Sequence, residues 1–355
     1  RSPVPRNFDE ASLAFTGKIL WDKPPVKTGA NISLIPYITG RMNEDFENNS
    51  GFKITGDNGF KPAIQEIIGM DIKVAVTSSL NLDLTINPDF SQVEVDEQQI
   101  NLTRFSLFFP EKRQFFIENS DLFGQFGFSQ IRPFFSRNIG LYQGQTIPII
   151  AGARLSGKIN KNWRIGLMNI QTARDTALGV LSQNYTVAAV QRQVFGPSYI
   201  GAIFVNRQAY GINTDNEFSF LSNNFNRVLG LDYNLASKDN KWRGKVFYHH
   251  SFTPDKLSQS SANASWLMYN SRNIFAMWNH EYVGKNYITD VGFVPHLTRF
   301  NEETGKDTML TYWRLEPLFQ YKFYPKSSII NYHGPAFKSD DYFRSEERTS
   351  ELQSR

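Results

Sequence analysis

Four carboxylates lie close together in the first third of the chain, and their residue types suit metal binding or acid–base chemistry. They are Asp89, Glu94, Asp96 and Glu97. Carboxylate oxygens bind Ca²⁺ or Mg²⁺, and a pair of carboxylates can hydrolyse a glycoside. The segment lacks the Asp/Asn-rich loop with a central Gly and a terminal Glu that marks an EF-hand. The spacing supports neither use specifically, so these four residues are candidate metal ligands and nothing more.

The five histidines and the absence of cysteine offer no better chemistry. His249 and His250 are adjacent on a predicted strand and point to opposite faces, so they cannot readily bind one metal. His280, His296 and His333 show no His-Glu-x-x-His spacing, and the chain contains no Cys. Nucleophile-elbow, phosphate-loop and dinucleotide motifs are also missing. We therefore predict no catalytic residue, no cofactor and no enzyme activity, and expect any associated hydrolase activity in a region N-terminal to this chain.

The composition limits the class of protein to which the chain can belong. Of the 355 residues, 20% are charged and 14% are aromatic, and the mean hydropathy is negative. This is too aromatic for a disordered chain, and no segment has the 18 or more consecutive apolar residues of a spanning helix. A spanning β-strand needs only about 9–11 residues. The net charge of +4 is spread along the chain, so we expect no nucleic-acid partner.

Alternating segments follow one another from residue 149 onward, separated by short turns rich in Gly, Asn, Asp and Lys. In IIAGARLSGKI, Ala153 and Leu155 share one face, whereas Arg154 and Ser156 share the other. The pattern predicts an all-β antiparallel meander. We interpret it as part of a transmembrane outer-membrane β-barrel, and an aromatic-rich soluble β protein is the alternative.

Aromatic residues near the strand ends suit girdles at two membrane interfaces. The residues in question are Trp163, Tyr185, Tyr199, Trp242, Trp266 and Tyr282. Earlier in the chain, residues 31–42 and 67–90 also alternate, and Ser78-Ser79 separates two halves of a predicted hairpin. We therefore assign residues 31–343 to the barrel portion.

The alternation stops between Asn87 and Leu141, and this 87–141 segment is too long for a simple turn. We predict a short helix with Pro110 at its first position, and a role as a lumen plug or latch. Arginine forks can bind carboxylates on a lumen wall. The cations expected to hold the plug are Arg104, Lys112, Arg113, Arg132 and Arg137. Its paired Phe residues could form a platform for a sugar or peptide, but core packing is the favoured use.

The run NPDFSQVEVDEQQINLTRFSLFFPEKRQFFIENSDLF, from Asn87 to Phe123, closely resembles a bacterial family without assigned activity. The resemblance continues through IRPFFSRNIGL and IPIIAGARLSGKINKNWRIGLMNIQT, and more weakly through NYHGPAF. Members of that family are known chiefly as the barrel-like C-terminal part of proteins that begin with a family-9-type carbohydrate-binding domain. The resemblance implies such a domain upstream of this chain, and it brings no catalytic or ligand-binding residue.

These observations together predict an outer-membrane β-barrel module that anchors a carbohydrate-binding domain or passes solutes. The alternative is a soluble β module associated with carbohydrate binding or glycan degradation. Outer-membrane lipid is the expected partner, with carbohydrate reached through the missing N-terminal domain. The chain begins with Arg1 and no signal pattern, so residues 1–30 are expected to connect from that domain. Residues 344–355 are expected to be a non-native, adapter-derived tail.

Overall fold

The computed structural model is dominated by one large antiparallel sheet. It describes residues 20–23, 31–42, 64–88, 109–142, 145–176, 178–211, 224–254, 258–294, 297–301, 306–326 and 329–344. The strands are β1 (Ile32–Met42), β2 (Ile64–Thr77), β3 (Leu80–Ile86), β4 (Leu141–Tyr142), β5 (Gln145–Thr146), β6 (Ile149–Lys158), β7 (Trp163–Thr172), β8 (Ser182–Val194), β9 (Ser198–Tyr210), β10 (Phe225–Ala236), β11 (Trp242–Phe252), β12 (Ser261–Asn270), β13 (Ile274–Val283), β14 (Leu297–Asn301), β15 (Lys306–Leu310), β16 (Tyr312–Tyr321), β17 (Ala336–Lys338) and β18 (Asp341–Arg344).

The sheet is a meander in which sequence neighbours pair, as the alternating pattern predicts. Within the described residues it has fourteen strands in the order β1-β2-β3-β6-β7-β8-β9-β10-β11-β12-β13-β16-β17, and β18 also pairs with β16. Strands β4–β5 and β14–β15 form two small separate hairpins. In the described part of the chain β1 does not pair with β17 or β18, so the sheet is open there.

The two faces of the sheet differ in exposure. In β10, Leu229 and Leu231 are exposed, whereas Gly230 and Asp232, which alternate with them, are buried. The same alternation runs through β7, β8, β9 and β11. Successive residues of a strand point to opposite faces, so one face is apolar and exposed and the other is covered. We call the covered face of β2 to β16 the wall.

Two segments cover the wall. The insert, residues 109–142, contains two single-turn helices, α1 (Gln114–Ile117) and α2 (Asp121–Gly124), and a 3-10 turn. The inward loop, residues 284–294, follows β13 and packs on the insert. The predicted helix start at Pro110 is wrong, because α1 begins at Gln114 and ends where Asn119 turns with φ 50°. None of the helices in the described part of the chain is long and apolar enough to cross a membrane.

The hydrophobic core lies between the insert and the wall. Phe115, Phe123 and Phe126 of the insert are buried against wall residues such as Ile203 and Phe247. This agrees with core packing as the favoured use of the Phe-rich segment. Because this short insert contacts strands from β2 to β11, the sheet must curve around it.

Candidate functional site

The interface between the insert and the wall is the candidate site. At two places a phenylalanine ring of the insert packs directly on a glycine of the wall. A Cβ built on Gly166 of β7 would lie 2.5 Å from the Phe123 ring. A Cβ on Gly201 of β9 would lie 2.9 Å from the Phe126 ring. Real Cβ atoms do not approach a ring that closely. Only glycine at these two wall positions therefore lets Phe123 and Phe126 of the insert pack directly on the strands.

Glu118, at the end of α1, joins the insert to the first strands of the wall. Its carboxylate accepts hydrogen bonds from Lys73 Nζ at 2.6 Å and Asn81 Nδ2 at 2.8 Å. The Lys73 hydrogen bond holds the pKa of Glu118 below its ordinary value, against the smaller opposing effect of burial. Arg154 donates to the Glu118 backbone carbonyl at 2.7 Å and binds Asp83 at 2.7 Å. The result is a charged network across β2, β3 and β6.

A second ion pair follows at α2. Arg164 of β7 donates to both carboxylate oxygens of Asp121, at 2.7 and 3.1 Å. Such a two-point contact fixes the relative orientation of the two groups. Both side chains are partly exposed, at 28% and 41%, so solvent screens their attraction.

Asp232 of β10 contacts three protein groups at the interface. Its Oδ2 accepts a hydrogen bond from the Gly127 amide at 2.8 Å and lies 3.1 Å from Lys245 Nζ. Its Oδ1 lies 2.8 Å from His249 Nε2, and His249 Nδ1 lies 3.4 Å from the Tyr287 hydroxyl. Burial, and next the charge of Asp232, raise the pKa of Tyr287. This cluster links β10, β11, the insert and the inward loop.

Lys245 adds a direct contact to the insert, because its ammonium also donates to the Gln125 carbonyl. Tyr199 of β9 reaches the same residue, with its hydroxyl 3.4 Å from Gln125 Oε1. The turn after α2 is therefore bound by wall side chains from two strands.

The inward loop fastens the insert from its other side. The backbone groups of Arg132 and Phe293 exchange two hydrogen bonds, each 2.9 Å long. Arg207 of β9 binds Asp290 at 2.6 Å, and Asn226 of β10 donates to the Ile288 carbonyl at 2.8 Å. The loop is thus bonded both to the insert and to the wall.

Arg113, one of the predicted plug cations, is bonded within the insert. Arg113 binds both carboxylate oxygens of Glu111 at 2.8 Å and donates to the carbonyls of Ser136 and Ile139. Burial acts to raise the pKa of Glu111, but the hydrogen bonds and charge of Arg113 outweigh it, and the pKa lies below its ordinary value. These contacts hold the insert in its own shape.

Two other predicted plug cations, Arg137 and Arg132, also have contacts inside the insert. Arg137 donates to the Pro110 carbonyl at 2.9 Å, and Arg132 donates to the Ser129 carbonyl at 2.9 Å. Burial lowers the pKa of both guanidinium groups. Lys112 is exposed, and Arg104 lies outside the described residues. Their pairing with a lumen wall stays a prediction.

The residues that connect the wall to the insert were not selected from the sequence as a site. They are Lys73, Asn81, Arg154, Arg164, Asp232 and Lys245. One signal could have found them, since each is a polar residue at an inward position of an alternating strand. The alternation shows which face a residue occupies, but the residue it contacts lies far away in the chain.

The candidate metal ligands Asp89, Glu94, Asp96 and Glu97 lie outside the described residues. Within the residues that are described, no group of three His, Asp or Glu side chains could hold a metal ion. The predicted opposite orientation of the histidine pair is confirmed. His249 is buried in the Asp232 cluster, whereas His250 makes an edge-on ring contact with the exposed Phe252, with 4.7 Å between ring centroids.

The exposed face carries aromatic pairs at both strand ends. The ring centroids of Trp242 and Tyr269 lie 4.8 Å apart at one end, and those of Tyr282 and Trp313 lie 5.9 Å apart at the other. Three residues predicted for these girdles are instead on the covered face, because their positions alternate with the exposed ones. They are Tyr185, Tyr199 and Trp266.

Comparison with known proteins identifies the family. Residues 28–350 match the family model described as Domain of unknown function (DUF5916). The chain belongs to this family. The matched range includes both wall and insert, so both are parts of the DUF5916 domain. An N-terminal carbohydrate-binding domain, which the sequence resemblance implies, is shown by none of the comparisons.

Two solved structures resemble the DUF5916 chain at low identity. OccAB1 of Acinetobacter baumannii shares 9% identity with a TM-score of 0.32, over 81% of this chain and 64% of that chain. OpdL of Pseudomonas aeruginosa shares 12% identity with a TM-score of 0.35, over 89% of this chain and 84% of that chain. The DUF5916 chain thus spans less than two thirds of OccAB1. None of the curated proteins matches it.

Proposed function

We propose that this DUF5916 chain forms the wall and plug of an outer-membrane β-barrel through which polar solutes pass. The observation that carries the proposal is the distribution of side chains on the sheet, with large apolar groups on the exposed face and the buried ion pairs on the covered face. A water-soluble β protein buries its apolar face and exposes its charges. The opposite arrangement suits a sheet with lipid outside and a polar lumen inside.

The exposed face supports contact with lipid. Large apolar side chains occupy alternate positions of successive strands and are between 37% and 57% exposed. Examples are Leu167, Phe204, Leu229, Leu231, Val246, Tyr248, Trp278 and Phe319. Soluble monomers rarely expose a continuous apolar patch larger than a few hundred Å². A hydrocarbon environment removes this cost.

The aromatic residues at the strand ends support two membrane interfaces. Trp242 and Phe252 begin and end β11, and both are exposed on the apolar face. A rise of about 3.3 Å per residue separates them by about 33 Å along the strand. A strand tilt of about 40° reduces this to about 25 Å, which is the height of the apolar band in outer-membrane barrels.

The insert supports a plugged lumen, because a buried ion of the wall is bonded to it. Arg154, with a side-chain exposure of only 1%, pairs with Asp83 of the wall and donates to the Glu118 carbonyl of the insert. Charges inside such a wall need partners, since an unpaired buried charge is costly. No catalytic step is part of the proposal. Anchoring of a carbohydrate-binding domain is a finer part of it, and rests on the family resemblance alone.

Fractionation of cells that express the full-length protein tests the proposal. We expect the protein to stay in the outer membrane after carbonate and high-salt washes, and to show heat-modifiable gel migration. Leu229→Arg/Leu231→Arg should prevent assembly, since Arg at the bilayer midplane of a barrel costs about 2–4 kcal/mol. Thr176→Arg, in an exposed turn, is the matched control. Release into the soluble fraction would overturn the barrel and favour a soluble carbohydrate-associated β module.

A further inference from the structure

A cavity of about 390 Å³ lies between the insert and the strands β11 to β16. Residues 127–130 of the insert form one side, and the wall forms the other. The wall side chains that matter are Lys245, Trp266, Asn279, Glu281, Arg314 and Glu316. Ligand sites in proteins commonly have volumes of about 300–1,000 Å³ with a few well-placed polar groups. This cavity fits that description.

The polar groups of the cavity are held in fixed positions. Arg314 binds Glu281 at 3.0 Å, Glu316 at 2.9 Å and Asp340 at 2.8 Å. The Asn279 amide nitrogen donates to Glu281 at 3.0 Å and to Glu316 at 3.4 Å. A planar guanidinium, an amide and two carboxylates thus present donors and acceptors side by side.

One acceptor of this group has no partner. Asn279 is only 8% exposed, and its Oδ1 accepts no hydrogen bond from the described residues. Buried polar atoms are nearly always hydrogen-bonded, so an unsatisfied one in a cavity wall points to a missing donor. A ligand hydroxyl would supply that donor.

The charges around the cavity are nearly balanced. Three cations, Lys245, Arg314 and Lys338, are paired with four carboxylates. The carboxylates are Asp232, Glu281, Glu316 and Asp340. A strong field of one sign is what concentrates an ionic solute in a channel. The balance therefore favours a neutral ligand.

Trp266 gives the cavity an apolar surface beside these polar groups. The described residues Trp163, Trp242, Trp278 and Trp313 are all exposed outside it. An aromatic plane with nearby hydrogen-bonding groups suits a molecule that is apolar on one face and polar at its rim. Hydroxyl groups both donate and accept, so a polyol can satisfy Asn279, the carboxylates and the guanidinium together.

We propose that this cavity binds a neutral polyhydroxylated solute of the sugar class, with Trp266 under its carbon face and Asn279 Oδ1 accepting from a hydroxyl. The site rests on the proposed function, because a solute reaches it through the barrel lumen. It would make the space beside the insert a selective path for solutes.

Tryptophan fluorescence of the full chain in detergent micelles tests the site. The probes are glucose, maltose and maltotriose, with gluconate and glucosamine as charged counterparts. We expect a saturable change with at least one neutral sugar and at least tenfold weaker binding of both charged probes. Asn279→Leu should weaken binding at least tenfold, and Trp266→Phe should remove the signal. Asn234→Leu and Trp278→Phe, outside the cavity, are the controls and should bind normally.

Two outcomes overturn the site. One is no saturable change with any of the three neutral sugars, and the other is equal or tighter binding of a charged probe. Conductance of the same preparation in planar bilayers is measured in parallel. If the chain conducts but binds no sugar, the proposed site is wrong and the proposed solute passage stands. If the chain does not conduct, the proposed solute passage is wrong, and the fluorescence then decides the site alone.

Discussion

The backbone amide of Gly127 donates a 2.8 Å hydrogen bond to Oδ2 of Asp232, and this bond joins the insert to the middle of the wall. Gly127 has a φ of +71°, and a Cβ there would lie 1.9 Å from the Ile131 carbonyl. The contact therefore needs glycine on the insert and a carboxylate on the wall. With Lys245 and His249 on the same carboxylate, Asp232 bonds to three protein groups.

Asp232→Asn should destabilise the folded chain strongly. The change removes the negative charge that pairs with Lys245, and breaking one side of a buried ion pair costs about 3–5 kcal/mol. Urea titration in micelles would measure the loss. Asp239→Asn, in an exposed turn, is the matched control, and surface changes of this kind stay within about 0.5 kcal/mol. Equal stabilities for the two variants would contradict the role given to Asp232.

Gly166→Ala should displace the insert, because the added methyl group would lie within 2.5 Å of the Phe123 ring. Overpacking of this kind costs about 1–3 kcal/mol. Adding Phe123→Leu should recover part of the loss, since the two changes act on one contact and are not additive. Gly40→Ala, with no atom near the new Cβ, is the control. A double variant no more stable than Gly166→Ala alone would show that the ring is not the obstacle.

Acid should loosen the insert through Glu111. Its pKa in the folded protein lies below the ordinary value of 4.5, so its stabilising effect is present above that value. The effect is lost as the pH falls through the lowered pKa, when protonation removes the charge that binds Arg113. The protection of residues 111–139 against amide exchange, corrected for the slower intrinsic exchange in acid, should therefore be weaker at about pH 3 than at about pH 5. Glu111→Gln should exchange fast at both values, and a pH response as large as that of the unmodified chain would exclude Glu111 as its source.

Two arginines of neighbouring strands should differ sharply in their effect on stability. Arg154 is 1% exposed beside a 3% exposed Asp83, whereas Arg164 and Asp121 are 28% and 41% exposed. Arg154→Gln should cost about 3–5 kcal/mol, because it leaves a buried carboxylate unpaired. Arg164→Gln should cost about 0.2–1 kcal/mol, as solvated pairs do. The two variants serve as each other's control in one urea titration, and similar losses would contradict the burial argument.

The sheet could be predicted from the sequence because alternation is a local property. Leu229 and Leu231 against Gly230 and Asp232 already separate the two faces, and hairpin turns place sequence neighbours side by side. The prediction of Trp266 as a girdle residue is wrong because it rests on nearness to a strand end. The position of Trp266 in the alternation places it on the covered face.

The site could be predicted only in part, since its contacts join distant positions. The 87–141 segment was recognisable as an insert because its pattern is aperiodic. Arg113 was noticed for its charge, yet its contacts with Glu111 shape the insert itself. The wall contacts of Glu118 and Gly127 involve residues many strands away, and no local pattern specifies them.

The two-way backbone bridge between Arg132 and Phe293 sets an order for biogenesis. Phe293 follows β13, so the insert cannot complete its bonding until most strands have been synthesised. Non-local pairing of this kind slows folding and leaves apolar surface uncovered in the meantime. Until the bridge forms, the Phe-rich insert lacks its contact with the inward loop, so aggregation before folding is complete is expected to involve this segment.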